Sequence, residues 1–197
     1  MFPELMPKAV ANFVELCKGT TNCKRFYNQF LAVTAFTTTT NPVPGDPPII
    51  TPKKLQLVGT KFHRIVKTFG IFGGDLFNGD GSSGESIYGM AFEDEYLKLT
   101  HDSPYIVTMV KPGSTPDTNN SQFMITLSQL KFLDARYEVF GRLRNTSFAL
   151  VDRIAEQAGT DGWSDYETPL KEVKITDCLL TDPTPPAPPA APATPAP

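Results

Sequence analysis

Proline placement constrains this chain more than any other feature. Nineteen prolines are spread unevenly over 197 residues. Pro42, Pro44, Pro47, Pro48 and Pro52 crowd one end of residues 22–52, and eight more fall within residues 181–197. Proline fixes φ and lacks an N–H, so neither stretch suits a helix or a central strand. The first reads as an exposed extended loop, and loops of that length in compact domains are functional or disordered. The second is almost wholly Pro, Ala and Thr; it has little apolar bulk to bury and is expected to be polyproline-like or disordered. The organisation this implies is a domain over residues 1–180, with an inserted loop at about 23–58 and a Pro/Ala-rich tail at 181–197.

Within that domain the stretch 62–75, Phe-His-Arg-Ile-Val-Lys-Thr-Phe-Gly-Ile-Phe-Gly-Gly-Asp, is the anchor. It starts as a strand with Phe62, Arg64 and Val66 on one face and His63 and Ile65 on the other. It then breaks at Gly70 and at Gly73-Gly74, where the backbone must turn or be closely approached. Arg64 either lines a cleft, because a buried guanidinium is costly unless paired, or lays its stem on the core with its head in water.

The totals, 40% hydrophobic and 20% charged, suit one soluble domain with a proper core. A net charge of −3 and a pI near 5.4 argue against nucleic-acid or anionic-membrane partners. No apolar run reaches membrane-spanning length, and Met1-Phe2-Pro3-Glu4 does not start like a signal peptide. Cys17, Cys23 and Cys178 form no C-x-x-C pair, which predicts buried thiols in a reducing compartment rather than a disulfide frame or zinc site. The expectation is an intracellular, cytoplasmic protein without metal or cofactor.

Residues 7–18 predict a helix: Pro7 suits its first turn, Val10, Phe13, Val14 and Cys17 share a face, and Gly19 stops it. Residues 55–66, 105–110, 122–127, 137–141 and 171–176 read as strands. Thr146 or Ser147 is expected to cap a second helix carrying Phe148, Val151, Ile154 and Ala155, ending at Gly159. Residues 79–86 have phosphate-loop spacing, but Glu85 stands where that loop needs Lys and would repel phosphate. A tight surface loop is the better reading. Many short strands with a helix toward each end predict a mainly β barrel or sandwich capped by helices.

Four blocks, in order and at compatible spacing, resemble the cyclophilin-type peptidyl-prolyl cis-trans isomerases. They are Phe62-His63-Arg64-Ile65 with Gly73-Gly74-Asp75; Gly84-Glu85-Ser86-Ile87-Tyr88-Gly89 with Phe92-Glu93-Asp94-Glu95; Asn119-Asn120-Ser121-Gln122-Phe123-Met124-Ile125-Thr126; and Leu133-Asp134 with Val139-Phe140-Gly141. The resemblance implies an antiparallel barrel, eight-stranded in that family, closed by two helices and bearing a proline-binding groove. Here the strands that normally precede the first helix are missing: either the sequence start is truncated or wrongly assigned, or the barrel is incomplete. Its open edges would be covered by residues 30–36 or by a partner chain.

By the same resemblance Arg64 is the catalytic donor, Phe69 and Leu133 wall the proline pocket, and Gln122 holds the substrate backbone. Phe72 stands where a glutamine orients the arginine, and Gly70 where a methionine lines the pocket. Met124 replaces a phenylalanine, Phe132 a tryptophan, Tyr137 a histidine, and Val110-Lys111 an Ala-Asn pair that acts largely through its backbone. The implied partners are proline-containing peptide or protein segments. Two functions follow as expectations: isomerisation of X-Pro bonds, or a catalytically weak binding subunit of a large assembly that covers the open edges and the tail.

Overall fold

The structure is a computed structural model and describes residues 1–21, 36–39, 49–52, 54–156, 168–169 and 171–180. Helix α1 (Pro7–Lys18) has Pro in its first turn and is closed by Gly19, whose φ of 63° is left-handed and whose N–H donates to Glu15 O. Ala9, Val10, Leu16 and Cys17 are buried on its inner face, with Phe13 and Val14 packed against the same core.

Cys17 at the end of α1 is bonded to Cys178, 161 residues away. This corrects the expectation of free buried thiols, and the cysteine argument for a reducing compartment loses its basis. Only the tertiary fold brings these two cysteines together, so their spacing carried no pairing signal. Cys23 lies outside the described residues.

The loop expected over residues 22–52 also needs correction. Strands β1 (Phe36–Thr39) and β2 (Ile49–Pro52) pair antiparallel, with Thr39 opposite Ile49 and Phe36 opposite Pro52. Threonine and isoleucine favour strand, while Pro52 ends β2 and the other four prolines fall between the strands. The rest of that loop, including most of residues 30–36, lies outside the described residues, as does the tail.

The main sheet comprises β3 (Arg64–Val66), β4 (Gly70–Gly73), β5 (Ile106–Met109), β6 (Phe123–Thr126) and β7 (Val139–Arg142), in the order β3-β4-β6-β5-β7 and antiparallel throughout. It is open, an incomplete form of the expected barrel. β3 is far shorter than the strand predicted over 55–66. Leu55 and Leu57 are fully buried in the core, but within residues 55–63 the described pairing is a single bridge, Lys61 to Lys174. Phe62 N–H donates to Val173 O and Ile175 N–H to Thr60 O, so the last predicted strand reduces to the same bridge. Phe62 leaves the Arg64 face. Its ring meets Phe123 edge-on at 6.1 Å and lies over Gly73, whose missing side chain makes room.

Helix α2 (Phe148–Glu156) follows a 3-10 turn, Asn145–Ser147, with no side-chain cap, so neither Thr146 nor Ser147 caps it. Val151 packs with Ile65 and Ile71, while Gly159 lies outside the described residues.

Strand register then fixes the two faces. Ile65, Ile71, Ile125 and Val107 lie opposite one another across four strands and face the core. One residue on, Arg64, Phe72, Met124 and Thr108 form a second transverse row, which alternation places on the opposite face.

Candidate functional site

That second row is the floor of a candidate site. The Arg64 guanidinium carbon lies 4.8 Å above the Phe72 ring. Phe72 stacks on Phe69 at 5.8 Å and 11°, and Phe69 meets Phe132 at 5.8 Å and 45°. Behind this line of rings Phe72, Met124, Leu130 and Leu133 are buried together, with Val66, Val110 and Tyr137 against them. Phe132 stays 63% exposed.

Gly70 and Met124 fit as a pair. A Cβ at Gly70 would stand 2.7 Å from Met124 Cγ and Sδ. The thioether therefore occupies the space above the glycine, where the resemblance implied a methionine. The apolar volume is supplied from the neighbouring strand.

Two hollows flank the rings. A groove of about 820 Å³ is lined by Arg64, Phe72, Val110 and Gln122, together with Lys61, His63, Thr168 and residues 79–82. A smaller hollow of about 470 Å³ is lined by Lys111, Phe132, Leu133 and Tyr137 with Asp94, Leu97 and Arg136 among others. Of the site residues expected from sequence, four lie in the groove, four in the smaller hollow, and Phe69 and Met124 in the wall between them.

Residues 79–82, read as a surface loop, form part of the groove, while Ser83, Glu85 and Ser86 beyond them are buried. The Asp75 carboxylate organises this loop. It accepts N–H groups of Phe77, Asn78, Asp80, Gly81 and Ser83 at 2.9–3.3 Å, and the Ser83 hydroxyl. Burial alone would push the Asp75 carboxyl up, but the Ser83 hydroxyl and backbone N–H groups hold it well below the usual carboxylate range. Gln122 Nε2 donates to Gly81 O and Ser83 O, both at 2.9 Å, so this amide holds the loop against β6.

Lys111 is 5% exposed. Its ammonium donates to Asp94 at 2.7 Å and to Arg136 O, and lies 5.8 Å from the Tyr137 ring centre. It joins the end of β5 to the turn that carries Leu133 and Tyr137. His101, read as structural, is fully buried, with Nδ1 2.9 Å from Asp134 and Nε2 3.1 Å from Thr108 Oγ1. Burial holds its pKa below the ordinary histidine value against the pull of Asp134.

Glu138 escaped the sequence reading. It is fully buried, and its Oε1 accepts the Glu95 N–H. Glu138 Oε2, like Asn119 Oδ1, has no hydrogen-bond partner among the described residues. Burial pushes its carboxyl up to about 7; the Glu95 N–H opposes this, Asp94 and Glu95 add to it, and Lys111 opposes it. Alternation could not have found it: Glu138 precedes the strand, and the register shift that pairs Val107 with Gly141 but Thr108 with Val139 breaks the two-residue period at Phe140. Among the described residues no group of three His, Cys, Asp or Glu side chains is placed to hold a metal ion.

An open antiparallel sheet with two helices, carrying an arginine over an aromatic wall beside a groove, defines a cyclophilin-like protein. Residues 1–180 match the family described as "Cyclophilin type peptidyl-prolyl cis-trans isomerase/CLD". The chain is 34% identical over 178 residues to "Peptidyl-prolyl cis-trans isomerase D" of Kluyveromyces lactis, covering 90% of this chain and 40% of that protein. It is 35% identical over 178 residues to "NK-tumor recognition protein" of Mus musculus and of Homo sapiens, covering 90% of this chain and 10% of each relative. The chain thus spans well under half the length of these relatives. It belongs to the cyclophilin-type peptidyl-prolyl cis-trans isomerase family. No described helix is long and apolar enough to cross a membrane.

Proposed function

We propose that this chain isomerises X-Pro bonds of peptide or protein segments bound in the 820 Å³ groove, with Arg64 as the catalytic donor. Rotation about that bond faces a barrier of roughly 18–20 kcal/mol set by amide resonance. No nucleophile or metal is required. The need is a site that fits the half-rotated amide better than either planar form. As the bond twists, the prolyl nitrogen becomes pyramidal and gains a lone pair. A guanidinium, which keeps its protons at every relevant pH, can then donate to it.

The observation that carries this reading is the placement of Arg64 4.8 Å above the Phe72 ring at the groove wall. Guanidinium planes stack on aromatic faces, so the ring limits how far the fork can wander. Phe72 thereby substitutes for the polar partner the resemblance implied at that position. A charge-assisted hydrogen bond of about 1.5–3 kcal/mol corresponds to roughly ten- to a hundredfold in rate. A protease-coupled or NMR-exchange isomerisation assay should therefore show that loss in Arg64→Ala, with an unchanged circular dichroism spectrum. Equal rates in wild type and Arg64→Ala would sink the reading.

One observation favours a second reading, a binding subunit that turns over slowly or not at all. The Gln122 amide is committed to Gly81 and Ser83, and the Lys111 ammonium to Asp94 and Arg136. Groups expected to meet the client are used to hold the protein together, while the exposed Phe132 ring suits a protein partner. A folded wild type that binds an X-Pro peptide without accelerating its exchange would establish this second reading, whose natural setting is a larger assembly.

A further inference from the structure

The smaller hollow takes no part in the chemistry proposed for Arg64, and its construction calls for a reason. The geometry points to a second client subsite there, one that takes an acidic side chain, Asp or Glu, carried by the bound segment. Its carboxylate meets Arg136, and its stem lies against Phe132 and Leu97. The inference rests on the reading that X-Pro segments bind this face of the protein, and it names a class of them.

Three observations lead there. The first is position. The hollow, about 470 Å³, is lined by Ser114 and Pro116 from one turn and by residues 132–137 from another, apart from Asp134 and with Leu97 beside them. Leu133 and Tyr137 also pack with Phe72 and Met124, so the hollow adjoins the row that carries Arg64.

The second is backbone conformation. Four of the described non-glycine residues have positive φ, and three of them fall in these two turns: Ser114 (58°), Asp117 (59°) and Ala135 (59°). Such conformations persist only where surrounding contacts over-determine them, and they gather at ligand sites. Those contacts are present. Lys111 O accepts the Ser114 N–H at 3.1 Å, and the buried Lys111 ammonium donates to Asp94 and to Arg136 O. Asp117 N–H donates to Asp94 at 3.3 Å, while the Asp117 carboxylate accepts the Asp94 N–H at 2.9 Å. One lysine therefore braces both turns, and the walls are set before a client arrives.

The third is charge. The charged side chains lining the hollow are Asp94, Lys111 and Arg136. Asp94 and Lys111 are paired with each other, and Asp94 also accepts the Asn119 amide at 2.8 Å. Arg136 makes no ion pair among the described residues. The hollow thus keeps one net positive charge, which matches one carboxylate; a doubly charged phosphoryl group would be repelled more strongly by Asp94. A guanidinium fork fits a carboxylate in two parallel hydrogen bonds. The Ser114 and Tyr137 hydroxyls lie 2.7 Å apart on the same wall. Their mutual bond uses one proton and leaves the other for the client. The exposed Phe132 ring supplies apolar surface for the methylenes of the stem.

The test uses the full chain and pairs of X-Pro peptides that differ only in having Glu or Gln at one residue flanking the proline, that position being moved along the peptide. Isotope-labelled protein is titrated with each. For at least one position the Glu peptide should bind about three- to tenfold more tightly than its Gln partner. It should also shift the Ala135 and Arg136 amide signals, and its advantage should shrink as salt rises. In Arg136→Gln, a change at an exposed side chain, the advantage should vanish while the circular dichroism spectrum stays unchanged. Equal affinities within every pair, or no binding by any pair, would overturn the inference. An advantage that survives in Arg136→Gln would overturn it too, placing the carboxylate elsewhere. The two readings fail separately. A Glu advantage without Arg64-dependent exchange leaves the subsite standing and removes the enzyme; Arg64-dependent exchange without a Glu advantage does the reverse.

Discussion

Glu138→Gln is the substitution whose effect the structure specifies most fully. The carboxyl is fully buried, and Oε1 accepts the Glu95 N–H while Oε2 meets no partner among the described residues. Asp94 and Glu95 stand near it, with Lys111 as the opposing charge. Its pKa is raised from 4.5 to about 7. A carboxyl whose folded pKa exceeds its unfolded value stabilises the fold fully below the unfolded pKa. It loses that contribution as pH rises through the folded pKa, because the folded state must then ionise a buried group. Here the window runs from about pH 4.5 to about 7. At about 1.4 kcal/mol per unit, the loss is about 3 kcal/mol.

Glutamine keeps an acceptor for the Glu95 N–H and places a neutral amide where Oε2 was. In urea unfolding at a series of pH values, the variant should match wild type near pH 4.5 and exceed it by up to about 3 kcal/mol at pH 8. Other groups titrate too. His63 and His101 have pKa values lowered by burial, so each contributes stability that is lost as pH falls below the unfolded histidine value. Those contributions are common to both proteins and cancel in the difference. Stability curves that stay parallel from pH 4.5 to 8 would refute the buried, neutral Glu138.

Two further perturbations follow from local geometry. Gly70→Ala puts a methyl 2.7 Å from Met124 and 2.9 Å from Ile125 O. It should cost about 1–3 kcal/mol, with partial recovery when Met124→Val is added, and a neutral result in urea unfolding would show that the thioether does not fill that space. Cys178→Ser opens the Cys17 bridge and should lower stability by about 2–5 kcal/mol under oxidising conditions, with reduced wild type falling to the same level; equal midpoints for oxidised wild type and variant would exclude the bond.

The parts of the fold legible in the sequence are those fixed by local rules. Pro7 and Gly19 bound α1 at the residues they mark, and β-branched runs place β5 and β6 to within a residue or two. Rules failed where neighbours outvoted them. Residues 55–61 are apolar enough for a strand, but Leu55 and Leu57 bury beneath α1 without a ladder, through Leu57 N–H to Leu16 O. The hairpin β1–β2 was obscured by prolines that fall between its strands or end them. Neither the Cys17–Cys178 pair nor the Asp75-centred loop has a linear signature, since both depend on chain segments meeting in space.

The candidate site was legible as a set of residues but not as a set of contacts, and the distinction bears on function. Taken singly, Gly70, Phe72 and Met124 each look like a loss: a missing wall, a missing polar partner, a smaller aromatic surface. Register shows that they are not independent. Met124 lies opposite Phe72 and fills the space over Gly70, while Phe72 lies opposite Arg64 and stacks beneath it. Counting three separate penalties would overstate the damage, because coupled neighbours do not add. Gln122 and Lys111 argue the other way, since each makes strong contacts inside the protein that a client would have to replace or work around. On the proposed mechanism the balance turns chiefly on how Arg64, held over the Phe72 ring, meets the twisted amide. Catalysis of amide rotation needs only one well-placed donor and a dry wall, whereas tight recognition of a client backbone needs several free polar groups. On the proposed mechanism, with Arg64 as that donor, the groove should turn over short X-Pro segments more readily than it holds them.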